Sequence, residues 1–294
     1  MAISRRGFVG GAAAVGLLGR AAWANPLGLP LGIQLYSVRE QMAADLDDAL
    51  GAVSAAGFVE VEAAALPKRP AKEIRAALDK AGLRCVSSHR SLADLTTKFD
   101  ETVAYDKELG VQWIVCPSPA ANSGKGATPG TWGAFALDDI YFTAEQLDRI
   151  GERLGGVGVR LGYHNHWHEF VVSEGKVPYF ELLERTDPKK VHFEMDCGWV
   201  VVGGKSPVEI MTNYPRRFTM LHVKDFKIPD GAQGVVTDPK VTELGMGSID
   251  YGPVFAQAAK NQRIEHAFVE QEAFDMPWKD SLKVDADYMK RFHG

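Results

Sequence analysis

Cysteine is scarce in this chain: Cys85, Cys116 and Cys197 are the only three among 294 residues. An odd number with no close spacing excludes a disulfide framework. Each lies in or just after an apolar, strand-like segment and reads as a buried free thiol. Positive charge is not in excess either. The net charge is −5 and the pI about 5.9. Nucleic-acid binders normally carry a basic domain or stripe, so no nucleic-acid partner is expected. The body of the chain has no apolar run of membrane-spanning length, no internal repeat, no low-complexity tract and no interdomain linker. What is there is an ordinary globular composition, 46% apolar and 24% charged, with enough apolar mass for a sizeable core. The length suits one large α/β barrel or two small domains.

The first residues follow a different pattern. Ser4-Arg5-Arg6-Gly7-Phe8-Val9 precedes a mildly apolar, glycine-rich run from Gly10 to Leu18, and Ala22-Trp23-Ala24 offers a small-x-small cleavage site before Asn25. These are the three parts of an export signal. The paired arginines resemble a twin-arginine signal, whose translocation machinery carries folded proteins across the bacterial inner membrane. An ordinary Sec signal with two arginines, or an uncleaved anchor, is the alternative. The expectation is an export signal over 1–24, cleavage after Ala24, a periplasmic location and one domain over 25–294 with no membrane span.

Short apolar runs alternate with longer amphipathic ones. Strands are expected at Gly32–Ser37, Val59–Ala63, Arg84–His89, Trp113–Cys116, Arg160–His164, Val191–Asp196, Thr219–Val223 and Ala267–Glu270. Helices are expected at Leu46–Ala56, Ala71–Ala81, Thr96–Leu109, Ala144–Leu154, Val177–Arg185, Pro207–Tyr214, Tyr251–Asn261 and Trp278–Arg291. Eight β-then-α units imply a parallel sheet, and eight close most naturally into a single (β/α)8 TIM barrel. Gly82 and Gly110 sit where a helix ends in the left-handed conformation, and Asp250 is placed to cap the helix from Tyr251. Two connections are long, Pro117–Asp139 and Phe226–Ile249, and long βα loops in a barrel are commonly lids.

Three histidines and a glutamate fall within Tyr163-His164-Asn165-His166-Trp167-His168-Glu169-Phe170, directly after a strand-like run. Imidazole and carboxylate at a strand end suit a divalent transition metal. His164, Asp196, His222 and Glu270 close the fifth to eighth strands in order. Adjacent strands lie about 4.8 Å apart, so groups on four successive strand ends can reach one ion. Strand parity puts Glu194 on the side of Asp196, Lys224 and Met220 on the side of His222, and Glu272 and Phe268 on the side of Glu270.

These segments, together with Gly32-Ile33-Gln34-Leu35-Tyr36-Ser37-Val38-Arg39, Met195-Asp196-Cys197-Gly198-Trp199, Leu221-His222-Val223-Lys224-Asp225, Gly245-Met246-Gly247-Ser248-Ile249-Asp250 and Val269-Glu270-Gln271, resemble the sugar phosphate isomerase/epimerase family of xylose-isomerase-like TIM barrels. The resemblance spans nearly all of the chain beyond the signal. It implies a divalent metal, often manganese, with zinc or cobalt as alternatives, held by one residue from each of the last four strands. Asp196, His222 and Glu270 match the expected ligand types. His164 departs from the pattern, since ketose epimerases of this superfamily usually carry glutamate there, followed by asparagine and histidine as in Asn165 and His166. Two metal-bound glutamates form their acid/base pair, so one member is missing here. Glu169, further along the loop, is the candidate replacement.

The expected function is a metal-dependent sugar isomerase or epimerase that moves a proton next to the carbonyl of a sugar or keto-sugar. A β-eliminating lyase acting on keto-glycosides and a non-catalytic periplasmic sugar-binding barrel are the alternatives. An apurinic endonuclease shares the barrel but needs more ligands and basic DNA-contacting loops. Glu270, His166, His89 and Lys224 are the expected catalytic groups, and His168 is read as a loop residue. Gln34, Tyr36, Glu62, Trp113, Trp167 and Trp199 are expected to contact substrate, because a sugar site needs hydrogen-bonding groups and an aromatic platform. Self-association into a homo-oligomer is left open.

Overall fold

The computed structural model describes residues 27–120 and 135–292. The expected export signal and its cleavage point lie outside the described residues, as does much of the Pro117–Asp139 connection. Ten strands occur among the described residues: β1 (Gly32–Gln34), β2 (Glu60–Ala63), β3 (Arg84–His89), β4 (Trp113–Cys116), β5 (Arg160–His164), β6 (Val191–Asp196), β7 (Phe218–Val223), β8 (Asp225–Lys227), β9 (Lys240–Thr242) and β10 (His266–Val269). The helices are α1 (Arg39–Ala44), α2 (Leu46–Ala56), α3 (Ala71–Ala81), α4 (Leu92–Thr97), α5 (Phe99–Leu109), α6 (Leu137–Gly156), α7 (Pro178–Arg185), α8 (Cys197–Val202), α9 (Pro207–Asn213), α10 (Tyr251–Asn261) and α11 (Trp278–Arg291). Strands β1, β10, β7, β6, β5, β4, β3 and β2 close in that order into a barrel, with every recorded pair parallel. The expected TIM barrel is the fold observed. None of the described helices is long and apolar enough to cross a membrane.

Four local differences from the sequence reading have physical causes. The first strand stops at Gln34, because the Gln34 side chain accepts from the Tyr36 N–H and turns Leu35–Val38 into a 3-10 helix. The helix expected over Thr96–Leu109 breaks at Lys98 into α4 and α5, and α4 starts under the Ser91 cap. A short helix, α8, follows β6 without a loop, since Asp196 caps it. The long connection after β7 is not structureless: β8 and β9 pair antiparallel within it. The side chain of Asp225 then ties the connection down by accepting from the N–H groups of Phe226, Gly245, Gly247 and Ile249. Gly82 and Gly110 end α3 and α5 with φ of 71° and 90°, and Asp250 caps α10, as expected.

The barrel interior is layered. The outward-facing residues, such as Ile33, Val61, Ile114, Leu161, Phe193 and Leu221, join the helices in one large core. Inside, Val86, Trp113, Val115, Met220 and Phe268 form a separate apolar plug, each fully buried large side chain worth about 1.5–3 kcal/mol. Gly162 leaves room for it, since a β-carbon there would lie 3.0 Å from the Met220 methyl and 3.1 Å from Val115. Below the plug lies a polar rim in which Arg160 pairs with Glu265 and His266 with Glu60. All three free cysteines are buried. With the lumen filled, polar groups above the plug have one opening, at the C-terminal ends of the strands, where barrels of this type carry chemistry.

Candidate functional site

His164 and His222 bring imidazoles to the tops of β5 and β7, and Asp196 and Glu270 bring carboxylates to the ends of β6 and β10. One nitrogen or oxygen from each lies within 4.8 Å of the other three, and all four residues are buried. His222 Nδ1 is 3.2 Å from Glu270 Oε2 and 3.9 Å from Asp196 Oδ2. Two donors on one ion at about 2.1 Å each lie at most about 4.2 Å apart, so these spacings suit a shared divalent cation. Asp196 supplies the clearest sign. Its Oδ1 accepts from the Trp199 N–H at the start of α8, while its buried Oδ2 has no hydrogen-bond partner among the described residues. The carboxylate is thus held rigidly with one oxygen presented to the site. Asn165 braces it from β5: its Oδ1 accepts from Asp196 N, and its Nδ2 donates to Asp196 O.

A second layer lies beneath. Glu194 Oε2 is 3.0 Å from His164 Nδ1, 3.2 Å from His222 Nε2 and 3.0 Å from His89 Nε2. Glu62 Oε1 is 2.7 Å from His222 Nε2 and 2.9 Å from His89 Nε2, and accepts from Gln34 Nε2 at 2.8 Å. Glu62 also accepts from the Ser87 hydroxyl. Carboxylates behind metal-ligating histidines fix ring orientation and tautomer. Burial pushes the Glu194 carboxyl up, yet His222 and His164 outweigh it and hold it at about 2. Burial works against charge on His89 too, but Glu62 and Glu194 raise it to about 9. His166 goes the other way. Burial, with Lys224 nearby, pulls it down to about 3.

Lys224 is fully buried beside this cluster. Its Nζ is 2.7 Å from Glu270, 2.6 Å from Glu272 and 3.5 Å from Asp196, and lies 4.8 Å from the centre of the Trp199 ring. Burial disfavours the Glu270 charge, but Lys224 and His222 hold this carboxyl well below its ordinary range. Gly198 allows α8 to approach, since a β-carbon there would lie 2.8 Å from the Lys224 carbonyl.

Above the cluster opens a cavity of about 490 Å³ lined by Tyr36, His89, His164, His166, Trp167, His168, Trp199, Glu270 and Glu272, among others. His166 and His89, expected as catalytic groups, and Tyr36, Trp167 and Trp199, expected to contact substrate, line this cavity. Three expected substrate contacts do not. Trp113 pairs in register with Arg160 at the start of β5 and lies in the apolar plug, with the Arg160 guanidinium 3.8 Å from its ring centre. Gln34 and Glu62 are fully buried beneath the cavity and bond to each other. Glu169 is a further correction. It turns away from the cluster and accepts from the Tyr163 hydroxyl at 2.8 Å and the His166 N–H at 3.1 Å. Burial lifts its carboxyl to about 7. It braces the loop and leaves the place opposite Glu270 to His164. His168, expected as a loop residue, lines the cavity. Glu194 and Glu272 are additions; strand parity puts both on the correct side, but not at the correct depth.

The family profile for xylose isomerase-like TIM barrels matches residues 50–292. An inosose dehydratase from Geobacillus thermodenitrificans is 28% identical over 232 residues, 71% of this chain and 76% of that protein. A sugar phosphate isomerase/epimerase from Parabacteroides distasonis superposes with a TM-score of 0.71 at 26% identity, over 95% of this chain and 98% of that one. The IolI protein, solved with a zinc atom, has the same fold, with a TM-score of 0.69 at 14% identity over 90% of this chain and 99% of that one.

Proposed function

This chain belongs to the xylose isomerase-like TIM barrel family, and we propose that it is a metal-assisted lyase that eliminates a β-substituent from a keto-sugar or cyclic polyhydroxy ketone. From the sequence alone, isomerisation or epimerisation is the first expectation and elimination the second. The likeness to inosose dehydratases supports the reverse order. The observation that carries the proposal is the position of Glu169. An epimerase of the resembling type uses two glutamates at the metal, and here the second is neither at position 164 nor supplied by Glu169, which is bonded to Tyr163 and His166. One carboxylate base with a separate acid is enough for elimination.

His164, Asp196, His222 and Glu270 are the proposed holders of the divalent ion, manganese first and zinc or cobalt next. When bound there, the ion supplies Lewis-acid polarisation of the substrate carbonyl. Glu270, kept ionised by Lys224, takes the proton from the carbon beside the carbonyl. The electrons of that C–H bond form a C=C bond as the C–O bond to the leaving group breaks. His89, charged up to about pH 9, gives its proton to the departing oxygen. His166, neutral above about pH 3, is a second base within the cavity. Tyr36, Trp167 and Trp199 provide aromatic faces for the ring, and two such faces hold a polyol by stacking its C–H side. Residues 1–24 are proposed to send the folded protein through the twin-arginine machinery to the periplasm.

The test is to strip the purified protein with a chelator, reload it with manganese, zinc or cobalt, and incubate it with an inosose and a keto-glycoside in deuterium oxide. Elimination yields an unsaturated ketone and frees the leaving group, and activity should vanish on stripping. Deuterium incorporation without a leaving group would return the assignment to isomerase or epimerase. No exchange with any ion would leave a sugar-binding barrel.

A further inference from the structure

A second cavity of about 490 Å³ adjoins the first. It is lined by the β2–α3 connection, Ala65 to Pro70, together with Arg90 and Tyr105. Ala65 lines both cavities, and its φ of 49° lies in the left-handed region that a β-carbon disfavours. The end of β3 also divides the two. His89 opens into the first cavity, and the next residue, Arg90, opens into the second.

The two cavities differ in charge. Glu270 and Glu272 line the first. Among the described residues the second has no acidic lining residue and three basic ones, Lys68, Arg69 and Arg90, in a protein whose net charge is −5. Arg90 is held in place. Its Nε and Nη2 donate to the buried Asp106 carboxylate, which also accepts from the Ser88 hydroxyl at 2.8 Å. Its guanidinium lies 5.3 Å from the Tyr105 ring centre. Among the described residues its Nη1 has no hydrogen-bond partner, and neither side chain of Lys68 or Arg69 has an ion-pair partner. A locked planar cation with a free edge, flanked by two cations without ion-pair partners among the described residues, suits an anionic oxygen group. Leu66, Pro67, Pro70 and Tyr105 give the same cavity apolar walls for the body of a ring.

We propose that this second cavity is a subsite for an anionic group, a carboxylate or a phosphate, on the part of the substrate that extends past Ala65. The inference rests on the reading of the first cavity as a keto-sugar site. It narrows the substrate to an acidic sugar derivative, with the reacting ring over the His/Asp/Glu cluster and the anion on Arg90, Lys68 and Arg69.

Binding is measured by titration calorimetry on the full, metal-loaded protein, with three probes that share one scaffold: cellobiose, cellobiouronic acid and cellobiose 6-phosphate. At low salt an acidic probe should bind at least tenfold more tightly than cellobiose, and the gap should shrink as salt screens it. The double variant Lys68→Ala/Arg69→Ala leaves the Arg90–Asp106 pair intact, so its fold is not at risk. It should narrow the gap, with Arg90 left as the one cation of the subsite, without changing cellobiose binding. Whichever acidic probe shows the larger gap identifies the source of the anion. Equal binding of acidic and neutral probes, or a gap that does not narrow in the double variant, would overturn the subsite. These readouts do not depend on turnover. A charge-dependent gap without elimination chemistry sinks only the lyase reading, and elimination without the gap sinks only the subsite.

Discussion

Glu194 Oε2 lies 3.0 Å from Nδ1 of His164. The same carboxylate oxygen is 3.2 Å from Nε2 of His222, whose Nδ1 is the atom beside Glu270 and Asp196. One buried glutamate therefore orients both histidines of the proposed metal site, meeting Nδ1 of one ring and Nε2 of the other.

Glu194→Gln keeps the size of the side chain but weakens its acceptor and removes its charge. It should lower metal affinity by roughly 10- to 100-fold while the fold persists. The measurement is metal content after dialysis against graded chelator, alongside thermal unfolding. Unchanged metal affinity would mean that Glu194 does not support the site.

Asp196 does two jobs, one with each oxygen. Asn is also a good helix cap, so Asp196→Asn should keep α8 capped by its amide oxygen and turn an N–H2 towards the cluster. Metal retention should be lost with little change in stability. Asp196→Ala should lose the metal and, in addition, about 1 kcal/mol from the missing cap. If both variants retain a stoichiometric ion, Asp196 is not a ligand.

Asp285 in α11 accepts from the Leu244 N–H at 2.7 Å, while its buried Oδ2 has no hydrogen-bond partner among the described residues. Burial lifts its carboxyl from 3.8 to about 7. Between those values the folded chain holds a proton that the unfolded chain has released, so rising pH favours unfolding. Its contribution is fully present below about pH 4 and is lost as pH passes 7, with a slope of at most about 1.4 kcal/mol per pH unit. Asp285→Asn keeps the Leu244 contact and should remove this slope from urea unfolding measured between pH 5 and 8. A wild-type slope equal to that of the variant would refute the assignment.

The barrel was legible in the chain because its signals are local. Period-two and helical patterning marks each βα unit, and β3, β4, β5 and β6 begin and end where the pattern places them. The four proposed ligands were legible for the same reason, since a strand end is a position along the chain. Depth in the lumen is different. It depends on the stagger between neighbouring strands, which closure of the whole sheet sets. That stagger sends Trp113 into the apolar plug and Glu194 up to the histidines, although both lie on the inward side of their strands. Glu169 shows the other limit. Beyond a strand end the alternation stops, and the Tyr163 hydroxyl and the His166 N–H, not sequence distance, direct the carboxylate away from the cluster. Residue types and their order announce a xylose isomerase-like TIM barrel with histidines and carboxylates at its strand ends, and the packed stagger of eight strands sets which side chains meet there.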